Sequence, residues 1–409
     1  MAAALLSWYA ENRRILPWRE APTPYHVWLS EIMLQQTRVE AVRGYYARFL
    51  QALPDIPALA AAEEDVCLKL WEGLGYYSRV RNLRAAAQFV VREYGGALPG
   101  TEKELLRLPG IGRYTAAAIA AIAFGRKAAA VDGNLLRIYA RMTFDTQNIR
   151  TPQALAAAER YFLDLMEELP PETAVCGWRD AEIAADDALP ASVSKQGGGC
   201  RAADGVPRPF NACGNFNQAL MDLGATVCLP NAAPRCGICP WRAACRAHAL
   251  GRETEVPVIP AKKPRQIEEL TVFVIQDAGR TALRKRPARG LLAGLYELPN
   301  TSGHLDERQA LGYVRALGCE PLHIRALGEA KHIFTHKEWH MTGYAVRVDE
   351  LAGQPGAAEQ PSAVKRSAAE AGAGAASLPR HGELLLADTA QIERQYSIPS
   401  AFSAYTRFL

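Results

Sequence analysis

One stretch decides the fold of this chain: Leu108-Pro109-Gly110-Ile111-Gly112-Arg113-Tyr114-Thr115. A Pro-Gly-hydrophobe-Gly turn between two helices predicts a hairpin whose backbone N–H groups point outward. The second helix begins there with free N–H groups and the positive end of its dipole, which together grip a DNA phosphate without reading a base. Gly110 and Gly112 are therefore candidate DNA-binding residues. One helix later, Asp132 adds a carboxylate close to the expected DNA strand.

Length and composition indicate a multidomain globular protein. The chain has 409 residues, enough for two or three domains with cores of their own. Charged residues follow the short apolar N-terminus at once and no apolar run could span a bilayer, so we expect no signal peptide and no membrane contact. A net charge of only +4 means that DNA binding must come from local features. The uneven spread of nine cysteines favours a reducing, cytoplasmic compartment.

The chain changes character along its length. Its four consecutive parts are predicted as a helical domain, a cysteine-rich loop, a Pro- and Lys-rich linker and an α+β domain: 1–227, 228–246, 247–266 and 267–409. The expected fold class is thus a mainly α N-terminal domain followed by an α+β domain. Segments 175–213 and 353–379 are rich in Ala, Gly, Ser and charge, and we expect exposed or disordered insertions there.

Two carboxyl groups form a candidate catalytic pair. Glu31 lies in a helix of mostly apolar neighbours, where burial would raise its pKa and keep it protonated, although a lone Glu is usually solvated. Asp132 directly precedes a helix beginning at Asn134, and taken alone it is a helix N-cap. Glycosidic cleavage needs one carboxyl group to protonate the leaving group and another to stabilise positive charge on the sugar. We expect Glu31 and Asp132 to supply that pair.

Four cysteines follow the pattern Cys-x7-Cys-x2-Cys-x5-Cys: Cys228, Cys236, Cys239 and Cys245. Four thiolates can hold zinc or an iron–sulfur cluster. Structural zinc usually uses two tight knuckles, and this stretch has only one Cys-x2-Cys. The spacing therefore favours an iron–sulfur cluster over zinc, and two disulfides are the weakest alternative.

The segment 73–82 combines two glycines with two tyrosines and two arginines. One interpretation is a glycine turn with tyrosines in the core. The other is a base-flipping wedge, in which Tyr76 inserts between bases while Arg79 holds a phosphate.

Together these motifs resemble the adenine DNA glycosylases of the MutY type, in the helix-hairpin-helix base-excision superfamily. The matching segments, in order, are Leu16-Pro17-Trp18-Arg19, 30–37, 73–82, 108–115, Asp132-Gly133-Asn134, 216–224 and the four cysteines. The resemblance implies a helix-hairpin-helix glycosylase fold with a 4Fe–4S cluster loop and a C-terminal Nudix-like domain. It implies a monofunctional DNA N-glycosylase that removes adenine mispaired with 8-oxoguanine or guanine in double-stranded DNA. We expect a monomeric bacterial protein associated with the nucleoid.

The resemblance also implies roles for individual residues. Glu31 matches the glutamate that protonates adenine at N7 and later helps to activate water, and Asp132 matches the aspartate that stabilises the oxocarbenium-like sugar. Tyr114 and Asn134 match residues that support this catalytic site. Gln36 and Tyr76 match residues that enter the duplex. The residues that match adenine-pocket positions are Trp18, Arg19 and Gln218. The cysteine positions match the ligands of one 4Fe–4S cluster.

The C-terminal domain resembles the Nudix-like module that reads 8-oxoguanine opposite the target adenine. Phe334, Thr335 and His336 match its recognition loop, and without the resemblance they form an ordinary loop between strands. A hydrolytic Nudix motif needs a cluster of glutamates for Mg²⁺, and none follows 290–299. We therefore expect this domain to read a base and not to hydrolyse a nucleotide.

The chain departs from the family pattern at three points. The first cysteine spacing is seven residues where six is usual, Thr335 replaces the usual serine, and the 175–213 insertion interrupts a helix-to-helix connection. Rival functions are an endonuclease III-type lyase, a non-catalytic damage sensor and a Nudix hydrolase. Tyr114 argues against the lyase because the lyase needs a lysine there to form a Schiff base. The two carboxyl groups argue against the sensor.

Overall fold

The computed structural model describes residues 1–169, 211–230, 232–260, 264–349 and 384–409. The predicted 353–379 insertion and residues 175–210 of the other insertion lie outside these ranges. The prediction that this insertion extends to residue 213 is wrong, because Ala212 and Cys213 begin the helix Ala212–Thr226, which the Asn211 side chain caps by accepting from the Gly214 N–H.

The chain forms two compact units. Unit 1 comprises Met1–Ala62 and Arg79–Lys262, and unit 2 comprises Glu63–Ser78 and Lys263–Leu409. Each unit is described by itself below.

In the described ranges, the named secondary-structure elements of unit 1 are helices. Its α-helices are Ala2–Asn12, Pro17–Glu20, Pro24–Leu34, Val39–Ala52, Ile56–Ala61, Ser78–Tyr94 (which begins at the last residue of a unit 2 segment), Glu102–Leu105, Arg113–Phe124, Gly133–Thr143, Pro152–Met166, Ala212–Thr226 and Arg246–Ala249, with 3₁₀ turns at Cys236–Ile238 and Arg242–Ala244. Two of these helices, Pro24–Leu34 and Pro152–Met166, start where a capping threonine, Thr23 or Thr151, precedes a proline, because the cap accepts an orphan N–H and proline lacks one.

A buried apolar core holds the helices of unit 1 together. Phe162, Phe216, Leu220 and Trp241 are buried in one cluster that joins the N-terminal helix to the helices that follow the hairpin. The Ala-rich helix Arg113–Phe124 packs closely against Pro24–Leu34 and Ala212–Thr226, because its small side chains let the helix axes approach. This packing fixes the position of the hairpin relative to helix Pro24–Leu34, which carries Glu31.

Unit 2 is built on one mixed sheet. Its strands are β1 Gln266–Gln276, β2 Arg280–Lys285, β3 Tyr296–Glu297, β4 Asn300–Ser302, β5 Pro321–Ile333, β6 Lys337–Val348 and β7 Leu384–Asp388. The strand order is β3-β2-β1-β6-β5, with β4 paired to β1 and β7 paired to β2. β1 and β6 run parallel, and the other pairs are antiparallel.

The sheet has a buried core on each face. Alternating residues of β1 point to opposite sides: Val272 and Val274 join one cluster, and Phe273 and Ile275 join the other. The helix Glu307–Ala316 packs in the second cluster, and the first cluster also takes side chains from helix Thr389–Gln395, 3₁₀ turn Ser400–Phe402 and helix Ser403–Thr406. The predicted strands at 270–275 and 344–348 and the predicted helix from 306 to 317 are confirmed.

The sequence did not indicate that Glu63–Ser78 groups with the C-terminal unit. Its helix Glu64–Leu70 lies against helix Thr389–Gln395, and the Lys69 ammonium donates to the carbonyls of Ile392 and Tyr396 at 3.3 Å each. The Glu72 carboxylate accepts from the Ile398 N–H at 2.8 Å. These contacts join residues more than 320 positions apart in the chain.

Within the described ranges, the structure contains no helix long and apolar enough to cross a membrane.

Packing at Gly343 predicts a stability effect. A Cβ atom there would lie 2.2 Å from the Tyr405 ring, in one core of unit 2, so Gly343→Ala should lower the free energy of unfolding by about 1–3 kcal/mol. Gly312 is the control because it is helical and has open space around it, and alanine there should be neutral or stabilising. Denaturant unfolding of the full chain measures both variants, and equal stability of the two would contradict the packing described.

Candidate active site

The hairpin has the geometry that its sequence predicts. Gly110 has φ +78°, and a Cβ there would lie 2.6 Å from the Asn82 Cβ, so both conformation and space require glycine. Gly112 is the N-cap of helix Arg113–Phe124 and brings no side-chain cap to it. The first-turn N–H groups of this helix are thus available to an anion.

Glu31 is buried and not on a solvated helix face. Its exposed fraction is 5%, and the Tyr114 hydroxyl donates a hydrogen bond to its Oε2 at 3.0 Å. Burial raises the pKa of Glu31 to about 7, and the negative charge of Asp132 adds to the rise. The Tyr114 hydrogen bond and the positive charge of Arg19 act in the opposite direction. A carboxyl group with this pKa exists in both protonation states near neutral pH and can transfer a proton.

Asp132 is an N-cap, and it also faces the candidate acid. Its carboxylate accepts from the N–H groups of Asn134 and Leu135 and from the Asn134 side-chain amide, at 2.8, 2.9 and 2.8 Å. Burial raises the pKa of Asp132, while these bonds and the nearby Arg137 favour its anionic form. Two contacts hold the Asn134 side chain in place. Arg137 donates to its Oδ1 at 2.8 Å, and Gly224 packs so closely against it that a Cβ on residue 224 would lie 2.7 Å from the Asn134 Cβ.

The structure brings Glu31, Tyr114 and Asp132 together. Tyr114 contacts Glu31 directly, and burial followed by the charges of Glu31 and Asp132 raises its pKa well above the ordinary value. A cavity opens beside Glu31, and its lining includes the predicted pocket residues Trp18, Arg19 and Gln218. An acid, an anion and a cavity in one place suit cleavage of a glycosidic bond.

Sequence reasoning missed two residues of this site, Arg14 and Asp222. Arg14 lines the cavity with Glu31, and the fully buried carboxylate of Asp222 binds both Arg14 and Arg19. Asp222 lies inside the matched segment 216–224, where a single carboxylate on a largely apolar helix was a usable signal.

The four cysteines of 228–246 converge on a second cavity in unit 1. Cys228, Cys236, Cys239 and Cys245 all line it, and all four are free cysteines. Arg141 is buried behind them and donates to the Cys228 sulfur at 3.2 Å, a charge that complements thiolate ligands. His248 and Glu253, which the sequence reasoning did not select, adjoin Cys236 and are hydrogen-bonded to each other at 2.5 Å.

The two predicted duplex-entering residues share an unusual backbone conformation. Gln36 has φ 57° and Tyr76 has φ 48°, in the left-handed region that non-glycine residues rarely adopt. Both side chains are exposed. Strain of this kind costs about 1–3 kcal/mol per residue and is typical of functional sites.

The prediction that Arg79 holds a DNA phosphate is wrong. Arg79 is 7% exposed, and its guanidinium donates to the carbonyls of Ile32, Met33 and Gln35 and to the Thr37 hydroxyl. These carbonyls end the helix Pro24–Leu34, so Arg79 closes the C-terminus of the helix that carries Glu31. The position of Arg79 next to a glycine-rich turn does not indicate whether its guanidinium contacts DNA or the carbonyls at a helix end.

In unit 2, the Phe334–Thr335–His336 turn joins β5 to β6. The Thr335 hydroxyl lies 2.9 Å from the Tyr76 hydroxyl, so these two exposed side chains share a hydrogen bond. Phe334 packs edge-on against the buried Trp339, with 4.8 Å between ring centroids. The turn is thus anchored on one side and presents a hydroxyl beside Tyr76 on the other.

The fold and the site define a DNA repair protein of the helix-hairpin-helix class. The family described as "HhH-GPD superfamily base excision DNA repair protein" matches residues 29–164, and the NUDIX domain family matches residues 271–403. The predicted fold class, a helical glycosylase domain followed by a Nudix-like domain, is confirmed.

Named relatives narrow the class. The mouse protein named adenine DNA glycosylase is 33% identical over 406 residues, covering 85% of this chain and 70% of that protein. The human protein of the same name is 33% identical over 393 residues (81% and 64%), and that of Buchnera aphidicola subsp. Baizongia pistaciae is 29% identical over 336 residues (81% and 82%). The chain belongs to the adenine DNA glycosylase family, as its sequence motifs predicted.

Proposed function

We propose that this chain hydrolyses the N-glycosidic bond of adenine mispaired with 8-oxoguanine or guanine in double-stranded DNA. The observation that carries the proposal is the buried Glu31 carboxyl group, whose pKa of about 7 lets it donate a proton beside the anion of Asp132. The family name of the relatives supports adenine as the base removed. Because the acid, the anion and the cavity all belong to unit 1, one copy of the chain supplies the whole site.

Each carboxyl group has its own duty in the proposed reaction. Glu31 protonates the leaving adenine at N7, and its carboxylate then helps to activate a water molecule. Asp132, held as an anion by its hydrogen bonds, stabilises the positive charge that develops on the deoxyribose. Tyr114 and Asn134 hold these groups in position. A tyrosine hydroxyl cannot form a Schiff base with the sugar, so the proposed enzyme is monofunctional.

DNA binding is assigned to the hairpin and to two exposed residues, Gln36 and Tyr76. The N–H groups at Gly112 bind a phosphate, while Gln36 and Tyr76 enter the duplex, and flipping the adenine costs a few kcal/mol that these contacts offset. We place this activity on bacterial chromosomal DNA, and bacterial relatives of the same name support that setting.

Unit 2 is proposed to read the base opposite adenine. Hydrolysis of nucleotides is disfavoured because Glu297 is buried and paired with Arg284 and Arg286, and so is not available to Mg²⁺. Among the described residues, the side chains placed close enough to hold a metal ion together are Cys236, His248 and Glu253, and they lie in unit 1. Thr335 and His336 offer a hydroxyl and an imidazole to the edge of 8-oxoguanine.

The four-cysteine cavity is proposed to hold one 4Fe–4S cluster. Four free thiols on one cavity, with the buried Arg141 beside them, fit a group bound by anionic sulfur ligands. When bound, the cluster would cross-link the loop through these four sulfur ligands, and Arg141 of helix Gly133–Thr143 contacts the first of them. Its role would be a structural cross-link through iron–sulfur coordination, and no step of the proposed excision passes through it.

Replacing the acid tests the proposed chemistry. Glu31→Gln should lower the single-turnover rate of adenine excision by about 10²- to 10⁴-fold, because an amide cannot donate the proton, while mismatch binding stays nearly unchanged. The wild-type rate should fall as pH rises through about 7, where Glu31 loses its proton.

Glu40→Gln is the matched control, since that side chain is 83% exposed and lies only nine positions away. Excision should be unaffected in this variant. Loss of mismatch binding together with excision in Glu31→Gln would mean that Glu31 is structural.

Removing one proposed cluster ligand tests the cofactor. Cys239→Ser should reduce the iron content and the visible absorption of the purified protein, whereas Cys213→Ser, outside the four-cysteine cavity, should keep both. Metal analysis and an absorption spectrum suffice. One equivalent of zinc without iron in the wild type would contradict the cluster and favour the zinc alternative.

Removing the Thr335 hydroxyl tests base reading. Thr335→Ala should reduce the preference for adenine opposite 8-oxoguanine over adenine opposite guanine by roughly 5- to 10-fold, the value of about one hydrogen bond. Thr335→Ser keeps the hydroxyl and should keep the preference. An unchanged rate ratio in Thr335→Ala would remove this residue from the reading surface.

A further inference from the structure

Asp222 is paired with two arginines, Arg14 and Arg19, that line the cavity beside Glu31. Its side chain is 1% exposed, and it lies on helix Ala212–Thr226 one turn after Gln218. Both arginines donate to this one carboxylate. Arg14 does so through its backbone N–H and Nε, at 3.1 and 2.7 Å, and its Nη2 lies 2.7 Å from Oδ1. Arg19 donates through Nη1 and Nη2, at 2.8 and 3.0 Å.

The two arginines bring positive charge to the same cavity. Arg14 and Arg19 both line it together with Glu31, and the Arg19 side chain is 13% exposed. A cation near a carboxyl group favours loss of its proton, and this effect grows where water is excluded. Two guanidinium groups sharing one carboxylate leave one net positive charge beside Glu31 in place of two.

The groups that face Glu31 come from three directions. Tyr114 donates to it from helix Arg113–Phe124, and Asp132 acts on it from the start of helix Gly133–Thr143. From the third side comes Arg19, whose charge lowers the pKa of Glu31, with Arg14 on the same cavity wall. Tyr114 and Arg19 both favour the ionised state of Glu31, and of these two groups Asp222 binds Arg19.

We propose that Asp222 is a positioning residue that neutralises Arg14 and Arg19 and holds them along the cavity wall, so that their charge does not ionise Glu31. The inference rests on the proposed function, because it assigns to Glu31 the role of acid. Asp222 touches no reacting atom and acts through the arginines. A purely structural Asp222 would tie segment 14–19 to helix Ala212–Thr226 and would leave the pH dependence of excision unchanged.

The pH profile of single-turnover adenine excision separates the two roles. In Asp222→Asn, Arg14 and Arg19 lose their counter-charge, so the alkaline limb of the profile should move to lower pH by about one unit. In Arg19→Gln the limb should move to higher pH, because a cation beside Glu31 is gone. The double variant Asp222→Asn/Arg19→Gln should lie between the two single variants.

A rate that falls by the same factor at every pH in Asp222→Asn, with the limb unmoved, would overturn the proposal. If Asp222→Asn does not fold, Arg19→Gln decides alone, and an unmoved limb there has the same consequence. Wild-type protein that excises no adenine from any duplex would instead overturn the proposed function. The two failures are therefore distinguishable.

Discussion

The exclusion of water from the Glu31 carboxyl group is the constraint on which the site depends. In water this group would be ionised at neutral pH and could not act as an acid. Here Tyr114, from helix Arg113–Phe124, covers this carboxyl group and donates a hydrogen bond to it. The packing of that helix against Pro24–Leu34 holds Tyr114 in position. In the proposed function the same hairpin offers its free N–H groups to a phosphate, so one local structure would serve both DNA binding and proton transfer.

Local sequence patterns predicted much of the fold and part of the site. The Pro-Gly-x-Gly turn and the capping residues act on their immediate neighbours, so the hairpin and the Asp132 cap were predictable. Arg79 and Asp222 were not, because their partners lie 42 to 208 positions away along the chain. The grouping of Glu63–Ser78 with the C-terminal unit likewise depends on long-range contacts that leave no periodic signal.

Contacts between residues distant in the chain also determine which side chains take part in the candidate sites. Arg137 and Arg141 occupy one helix, yet the first fixes Asn134 beside Asp132 and the second faces the cysteine loop. In unit 2, the turn that holds Thr335 gains a hydrogen-bonding neighbour, Tyr76, from a segment about 260 positions earlier. The chemistry and the proposed base reading therefore use side chains that only the folded chain brings together.

The most direct measurement is the titration of the Glu31 carboxyl carbon by ¹³C NMR, with its signal identified by its absence in Glu31→Gln. The structure predicts a pKa of about 7 in the wild type. It predicts a further rise in Tyr114→Phe, because that variant lacks the hydrogen bond that stabilises the carboxylate. Titration at the ordinary value of 4.5, unchanged in Tyr114→Phe, would show that Glu31 is a solvated anion and would contradict its role as the acid.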